Sequence, residues 1–137
     1  YYGISGSYGT LGIILSVEIM LIPAPARLVH EYKKFGSVGE AIDAMAFLSQ
    51  QGTAPEYLEG IVYDKGYVIV IEGRPFKGDS AHINDLSLNR SSSPWFYDHV
   101  KKTLESGTDS EIIPLRDYLF RHDRAAFWMG AYGQYPK

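Results

Sequence analysis

Glycine falls on every third residue at the start of this chain, at Gly3, Gly6, Gly9 and Gly12, and the run passes straight into the apolar stretch 13–23. Glycine lets a backbone take positive φ and lets a ligand come close to the backbone. With Ser5, Ser7 and Thr10 interleaved, the run reads as a surface that holds something through backbone N–H groups. The residues behind the run narrow the choice. A dinucleotide fingerprint needs G-x-G-x-x-G with a helix opening behind it. Here the spacing is G-x-x-G, and Ile13-Ile14-Leu15-Ser16-Val17-Glu18-Ile19-Met20-Leu21-Ile22-Pro23 is rich in β-branched residues, which predicts a buried strand. A phosphate-binding P-loop lacks its closing Gly-Lys-Ser/Thr, and collagen needs a far longer triplet run with proline. Two readings stay open on spacing alone: a backbone-lined ligand site, or a plain turn entering a strand.

The rest of the sequence predicts an α+β domain. Residues 26–35 read as a strand. Ser37-Val38-Gly39-Glu40 has the form of a capping box. It opens a helix whose apolar stripe is Ala41, Ile42, Ala44, Met45 and Leu48, with Gly52 at its end. Residues 57–63 and 67–72 read as two strands joined across Asp64-Lys65-Gly66, a hairpin signal. This β-α-β-β order suits half of a ferredoxin-like sandwich, an antiparallel sheet with helices on one face. Residues 73–93 read as loop. Ser93 as N-cap and Pro94 at the first helical position predict a helix carrying Trp95, Phe96, Val100 and Leu104 inward and ending at Gly107. Pro114 opens a second helical run with Leu115, Tyr118, Leu119, Ala126 and Phe127 apolar.

Composition excludes several classes. The 137 residues, 45% of them hydrophobic, suffice for one core. A net charge of −3 leaves no electrostatic footprint for nucleic acid. Basic residues gather at Arg116, Arg121, His122 and Arg124, with Lys101 and Lys102 earlier, but Asp117 and Asp123 interleave with them, which predicts a salt-bridged solvated face. There is no cysteine, so thiol chemistry is excluded and any redox chemistry is borrowed from a cofactor. The apolar run 11–23 is broken by Ser16 and Glu18 and is shorter than the roughly 20 residues that span a bilayer. His30, His82, His99 and His122 lack metal-ligand spacing, so no metal site is expected. His122, between Arg121 and Asp123, is the best acid–base candidate by chemistry, against the plainer reading of a packing histidine. Aromatics such as Tyr57, Tyr63, Tyr67, Trp95, Tyr118 and Trp128 are core material, and also what a flat apolar substrate wants around it.

Three blocks carry a family resemblance. Gly6-Ser7-Tyr8-Gly9-Thr10-Leu11-Gly12-Ile13, followed by strand and proline, resembles the end of the FAD-binding domain in FAD-linked oxidoreductases of the vanillyl-alcohol oxidase (PCMH-type) superfamily. Pro94-Trp95-Phe96-Tyr97-Asp98-His99-Val100 and the block from Ile113 through Arg121-His122-Asp123-Arg124 to Phe127-Trp128 resemble the delta(24)-sterol reductase branch, in matching order over nearly the whole sequence. The resemblance implies an internal piece of a longer flavoprotein. Residues 1–23 would end a PCMH-type FAD-binding domain, and residues 24–137 would begin the substrate or cap domain with its ferredoxin-like β-α-β-β segment and two helices. It implies FAD held by Gly6, Ser7, Gly9, Thr10, Gly12 and Ile13, and NADPH as electron donor. The implied reaction is reduction of a carbon–carbon double bond in the aliphatic tail of a sterol-like substrate; the resemblance names no catalytic residues, and His122 and Arg121 are candidates on their chemistry alone. Membrane association would come through parts outside these residues, in an intracellular setting such as the endoplasmic reticulum or another endomembrane. Two alternatives stay open: an FAD-linked alcohol oxidase or dehydrogenase of the same superfamily, and a non-catalytic ferredoxin-like binding module.

Overall fold

The run Val68-Ile69-Val70-Ile71 is apolar at every position, so both faces of the strand that carries it must be covered. The computed structural model describes residues 2–78, 88 and 90–123, and within them this strand is satisfied on both sides. Strand β1 (Arg27–Phe35), helix α1 (Val38–Ser49), strands β2 (Tyr57–Asp64) and β3 (Tyr67–Pro75), helix α2 (Phe96–Glu105), strand β4 (Ser110–Pro114) and helix α3 (Leu115–Leu119) follow in order. The strands make one antiparallel sheet in the order β2-β3-β1-β4. The fold is therefore α+β, as the patterning predicts.

The helices do not share one face. Val68 and Val70 pack with Ala41 and Met45 of α1, whereas Ile69 and Ile71 pack with Phe96 and Val100 of α2 and Tyr118 of α3. Side chains alternate across a strand, so α1 covers one face and α2 and α3 the other. The expectation of helices on a single face is corrected by the two-sided hydrophobicity of β3.

Local signals mostly hold. Ser37 Oγ accepts from Glu40 N at 3.2 Å, while the Glu40 carboxylate accepts from Gly36 N, one residue earlier than a capping box requires. Helix α1 stops at Ser49 with Gln50 as its C-cap in αR geometry, so Gly52 lies beyond the end rather than making it. Ile42 points outward, 58% exposed, because the inward stripe runs through Ala41, Ala44, Met45 and Leu48. The hairpin turn is closed by Asp64 Oδ1 accepting from Gly66 N at 2.7 Å. Helix α2 begins at Phe96 with no side-chain cap; Ser93 Oγ accepts instead from Arg90 N in the preceding turn. Its C-terminus is a Schellman motif, with Gly107 at φ +87, Gly107 N donating to Leu104 O and Thr108 N to Thr103 O.

One strand carries no expectation from the sequence, and one expectation fails. A fourth strand, β4, runs up to Pro114 itself, with Ile113 pairing with Leu28 and Pro114 with Arg27 at the sheet edge; the helix that Pro114 is expected to open follows as α3. Only five residues of α3 follow; Arg124, Ala126, Phe127 and Trp128 lie outside the described residues, as does His82. The stretch 13–23, expected as a buried strand, joins no described strand or helix, and its side chains are open, with Ile13 88% and Leu15 92% exposed. Apolar on both faces, it needs a sheet neighbour and cover on each side, which the described elements do not give it.

Gly73 marks a close approach at the centre of the sheet. A Cβ there would lie 2.9 Å from His30 Cδ2 and 2.9 Å from Tyr57 Cβ. Gly73→Ala is therefore expected to cost about 1–3 kcal/mol in urea unfolding through overpacking. Gly60→Ala, whose tightest neighbour is the flexible Met45 sulfur at 3.1 Å, is expected to cost less.

Candidate functional site

The glycine loop is a pair of overlapping turns. Ser7 N donates to Ile4 O, and Ser7 O accepts from both Thr10 N at 3.0 Å and Thr10 Oγ1 at 2.7 Å. Gly6 and Gly9 sit in left-handed geometry at φ +75 and +79, and Tyr8 at φ 51. The reversal of direction through these turns thus accounts for two of the glycines. Gly12 has no such need, and a Cβ at Gly6, Gly9 or Gly12 would meet nothing within 4 Å. The loop's backbone is open to an approaching group. Beside it a cavity of about 600 Å³ is lined by Tyr2, Ile4, Ser5, Ile14, Ser16, Val17 and Glu18. A flavin held through its polar groups needs backbone access and an apolar wall, and these residues fit that need. The Thr10 proton is already committed within the loop, so its hydroxyl has only acceptor capacity left for a ligand.

The second feature is a polar cluster on the α2/α3 face of the sheet. Glu111 Oε2 accepts from Tyr32 OH at 2.7 Å and pairs with His99 Nε2 at 2.8 Å. Burial opposes ionisation of Glu111, but the hydrogen bonds from His99 and Tyr32 outweigh it and hold the carboxyl below its ordinary range. Across the sheet, Glu59 accepts from Tyr118 OH and from Arg121 Nη2, both at 2.8 Å. Arg121 also donates to Tyr118 O, and its guanidinium stacks over the Tyr118 and Phe96 rings at 4.0 and 4.8 Å. Burial and the Glu59 charge push the Tyr118 phenol well above its usual range. Between the two groups lies His30, 0% exposed, its ring 4.4 Å from that of Tyr118. Among the described residues neither of its ring nitrogens has a hydrogen-bond partner. Burial first, then the neighbouring Arg121 charge, lower its pKa to about 4.

Arg121 is thus an interior ion-pair residue, not part of a solvated salt-bridged face as its charged neighbours suggest. His122 is exposed, edge-on to Phe96 at 6.2 Å, with its pKa lowered by desolvation and by Arg121. Gly6, Ser7, Gly9, Thr10, Gly12 and Ile13 fall in and beside the one loop, whereas Arg121 and His122 belong to the polar cluster around α3. His30, Tyr32, Glu59 and Glu111 carry no motif that singles them out, and His99 stands within the 94–100 block without being marked as a site residue. The alternation Leu28-His30-Tyr32 on an apolar strand does mark His30 as inward-facing. Among the described residues no group of three or more His, Asp or Glu side chains is placed to hold a metal, and no helix is long and apolar enough to cross a membrane.

Comparison with known proteins supports the resemblance read from the sequence blocks. The chain is 32% identical to human delta(24)-sterol reductase over 130 residues, 93% of its length. It is 31% identical to the Arabidopsis thaliana delta(24)-sterol reductase over 95% of its length, and 28% identical to that of Pisum sativum over 95%. The chain spans about a quarter (25%) of the length of each of these relatives. No protein-family model matches the chain, and no solved structure matches it.

The depressed pKa of His30 makes an acid-sensitivity prediction. A neutral buried histidine contributes stability that is complete above its unfolded value of 6.5 and is lost as pH falls toward its folded value of about 4. Glu111, held below its ordinary range, loses stability in the same direction on further acidification. Urea unfolding is expected to show stability falling by about 3 kcal/mol between these two pH values. A flat profile across that window would contradict the burial of His30.

Proposed function

We propose that the chain is part of an FAD-dependent oxidoreductase of the delta(24)-sterol reductase kind. Residues 1–23 would close a PCMH-type FAD-binding domain, and residues 24–137 would open the substrate domain. The carrying observation is the similarity to delta(24)-sterol reductases over 93–95% of the chain. The backbone of Gly6, Ser7, Gly9, Thr10 and Gly12, with Ile13 beside it, holds the cofactor. Absent side chains allow approach, and the left-handed turns at Gly6 and Gly9 present the backbone to it. The chemistry that bound FAD supplies is two-electron transfer, from NADPH to a carbon–carbon double bond in the tail of a sterol. Such a substrate is apolar and resides in membranes, so the full enzyme works at an endomembrane such as the endoplasmic reticulum, attached through parts outside these residues.

The substrate-side residues have separate tasks. Arg121 spends its Nη1 and Nη2 donors on the Tyr118 carbonyl and Glu59, so it orients the α3 turn rather than meeting substrate directly. His122, on the next residue, is exposed, and its lowered pKa keeps it neutral at pH 7; it is the group free to hold or move a proton.

An anaerobic visible spectrum of the complete polypeptide tests this reading. A flavin band is expected to bleach with NADPH and return on adding a Δ24-unsaturated sterol. Bleaching by an alcohol and return with oxygen would instead mark an alcohol oxidase on the same scaffold. A colourless protein that cannot be reconstituted with FAD would leave a binding module. Gly9→Val and Gly12→Val are both expected to lose bound flavin. Retention of flavin by Gly12→Val, where neither φ nor internal crowding demands glycine, would make the loop a plain turn.

A further inference from the structure

The run 13–22 holds two polar residues, Ser16 and Glu18, and Glu18 is its one ionisable group. Both line the cavity of about 600 Å³ beside the glycine loop, where Ser5 joins them. That volume falls within the roughly 300–1,000 Å³ of small-molecule sites. Ile4, Ile14 and Val17 give the cavity an apolar wall. None of Gly6, Ser7, Gly9, Thr10, Gly12 and Ile13 is among its lining residues. Loop backbone and cavity are therefore two surfaces side by side, and each can meet a different part of one ligand.

We propose that Glu18, with Ser5 and Ser16, binds the vicinal hydroxyls of a sugar or polyol chain, so that the cavity takes the neutral, hydroxylated part of the cofactor. The chemistry of the lining selects this guest. An ionised carboxylate only accepts hydrogen bonds, whereas a serine hydroxyl both donates and accepts. Among the described residues that line the cavity none is a lysine or arginine, so a phosphate placed there would face Glu18 uncompensated. The diphosphate of a dinucleotide is thereby directed to the bare backbone of the loop. A wholly apolar occupant fails for another reason. Covering the apolar run takes water away from Glu18, and a desolvated carboxylate is costly unless donors meet it. Two adjacent hydroxyls bring two donors to its two oxygens, and Ile4, Ile14 and Val17 suit the carbon face behind them.

The assignment rests on the flavin reading for its ligand, and FAD carries this chemistry twice, in its ribityl chain and in the ribose of its adenosine half. Calorimetric binding to the complete polypeptide, freed of cofactor, separates the two sources. With the ribityl chain as guest, riboflavin is expected to bind about ten- to hundredfold more tightly than lumiflavin, which lacks that chain. With the ribose as guest, adenosine diphosphate is expected to bind about tenfold more tightly than its deoxyribose form. In either case Glu18→Leu removes the preference, and Glu18→Gln, which keeps one acceptor, reduces it. Equal binding within both pairs would overturn the assignment, and the flavin reading would stand as long as FAD itself binds. Failure to bind FAD at all would overturn both. A carboxylate that only pairs with a cation from a neighbouring segment would lower the melting temperature in Glu18→Leu and leave the hydroxyl preference intact, which also overturns the assignment. Should the variants not fold, the two analogue pairs on the unmodified protein still decide.

Discussion

Strand β3 has no face it can give to solvent. Val68 and Val70 point one way, Ile69 and Ile71 the other, and all four are buried. A strand of this kind must lie inside the sheet and be covered twice, and that one demand organises what surrounds it. β1 and β2 flank it, α1 closes one side, and α2 with α3 closes the other. The layers differ in character. The α1 side is a small apolar contact in which Ala41 lets the helix come close. The opposite side is larger and holds Phe96, Tyr118 and Tyr32, the aromatic bulk that fills the space between sheet and helices.

That larger side also carries a half-buried cluster of charges. Glu59 from β2, Glu111 from β4 and Arg121 after α3 converge on the aromatic layer. Removing one member of such a pair leaves the other partly desolvated and unpaired, whereas the intact pair adds little to net stability. The value of such a cluster is positional. Arg121 clasps the end of α3 onto β2 by one ion pair and one carbonyl, across sixty-two residues of sequence. The exposed His122 inherits its place from that clasp. Gly73 serves the same cluster from below, because only a residue without Cβ leaves room for the His30 ring.

Periodicity and turn chemistry reveal most of this fold in the sequence. β1, α1 and the β2–β3 hairpin can be read directly from Ser37, Asp64-Lys65-Gly66 and the alternation along β2. β4 is harder. Its apolar signal is only Ile112-Ile113, and Pro114 looks like the start of a helix rather than the close of a strand. It becomes a strand because β1 offers a free edge, which is a tertiary fact. The side of the sheet chosen by α2 is equally invisible locally; it depends on β3 being apolar on both faces, a clue that lies in β3 and not in α2. The polar cluster is spread over residues 30, 32, 59, 99, 111 and 121, joined only by folding. No linear motif could show it. The glycine loop is the reverse case, a local feature whose backbone conformation follows from its sequence while its purpose does not.

The loop and the stretch behind it present two surfaces of opposite chemistry in direct succession. Gly6, Gly9 and Gly12 offer bare backbone, a polar surface without side chains to block it. Residues 13–22 offer a near-continuous run of exposed apolar side chains, Ile13, Ile14, Leu15, Val17, Ile19, Met20, Leu21 and Ile22. Burying one such side chain is worth about 1.5–3 kcal/mol, so leaving the whole stretch in water is strongly unfavourable, and exposed apolar surface of this extent marks a contact to be made. Under the flavin reading both surfaces meet one neighbour. On that proposal an upstream domain would cover the apolar run, and the cofactor held there would supply the polar group for the loop. A plain turn would explain the left-handed pair, but not Gly12, and not an apolar run left open to solvent.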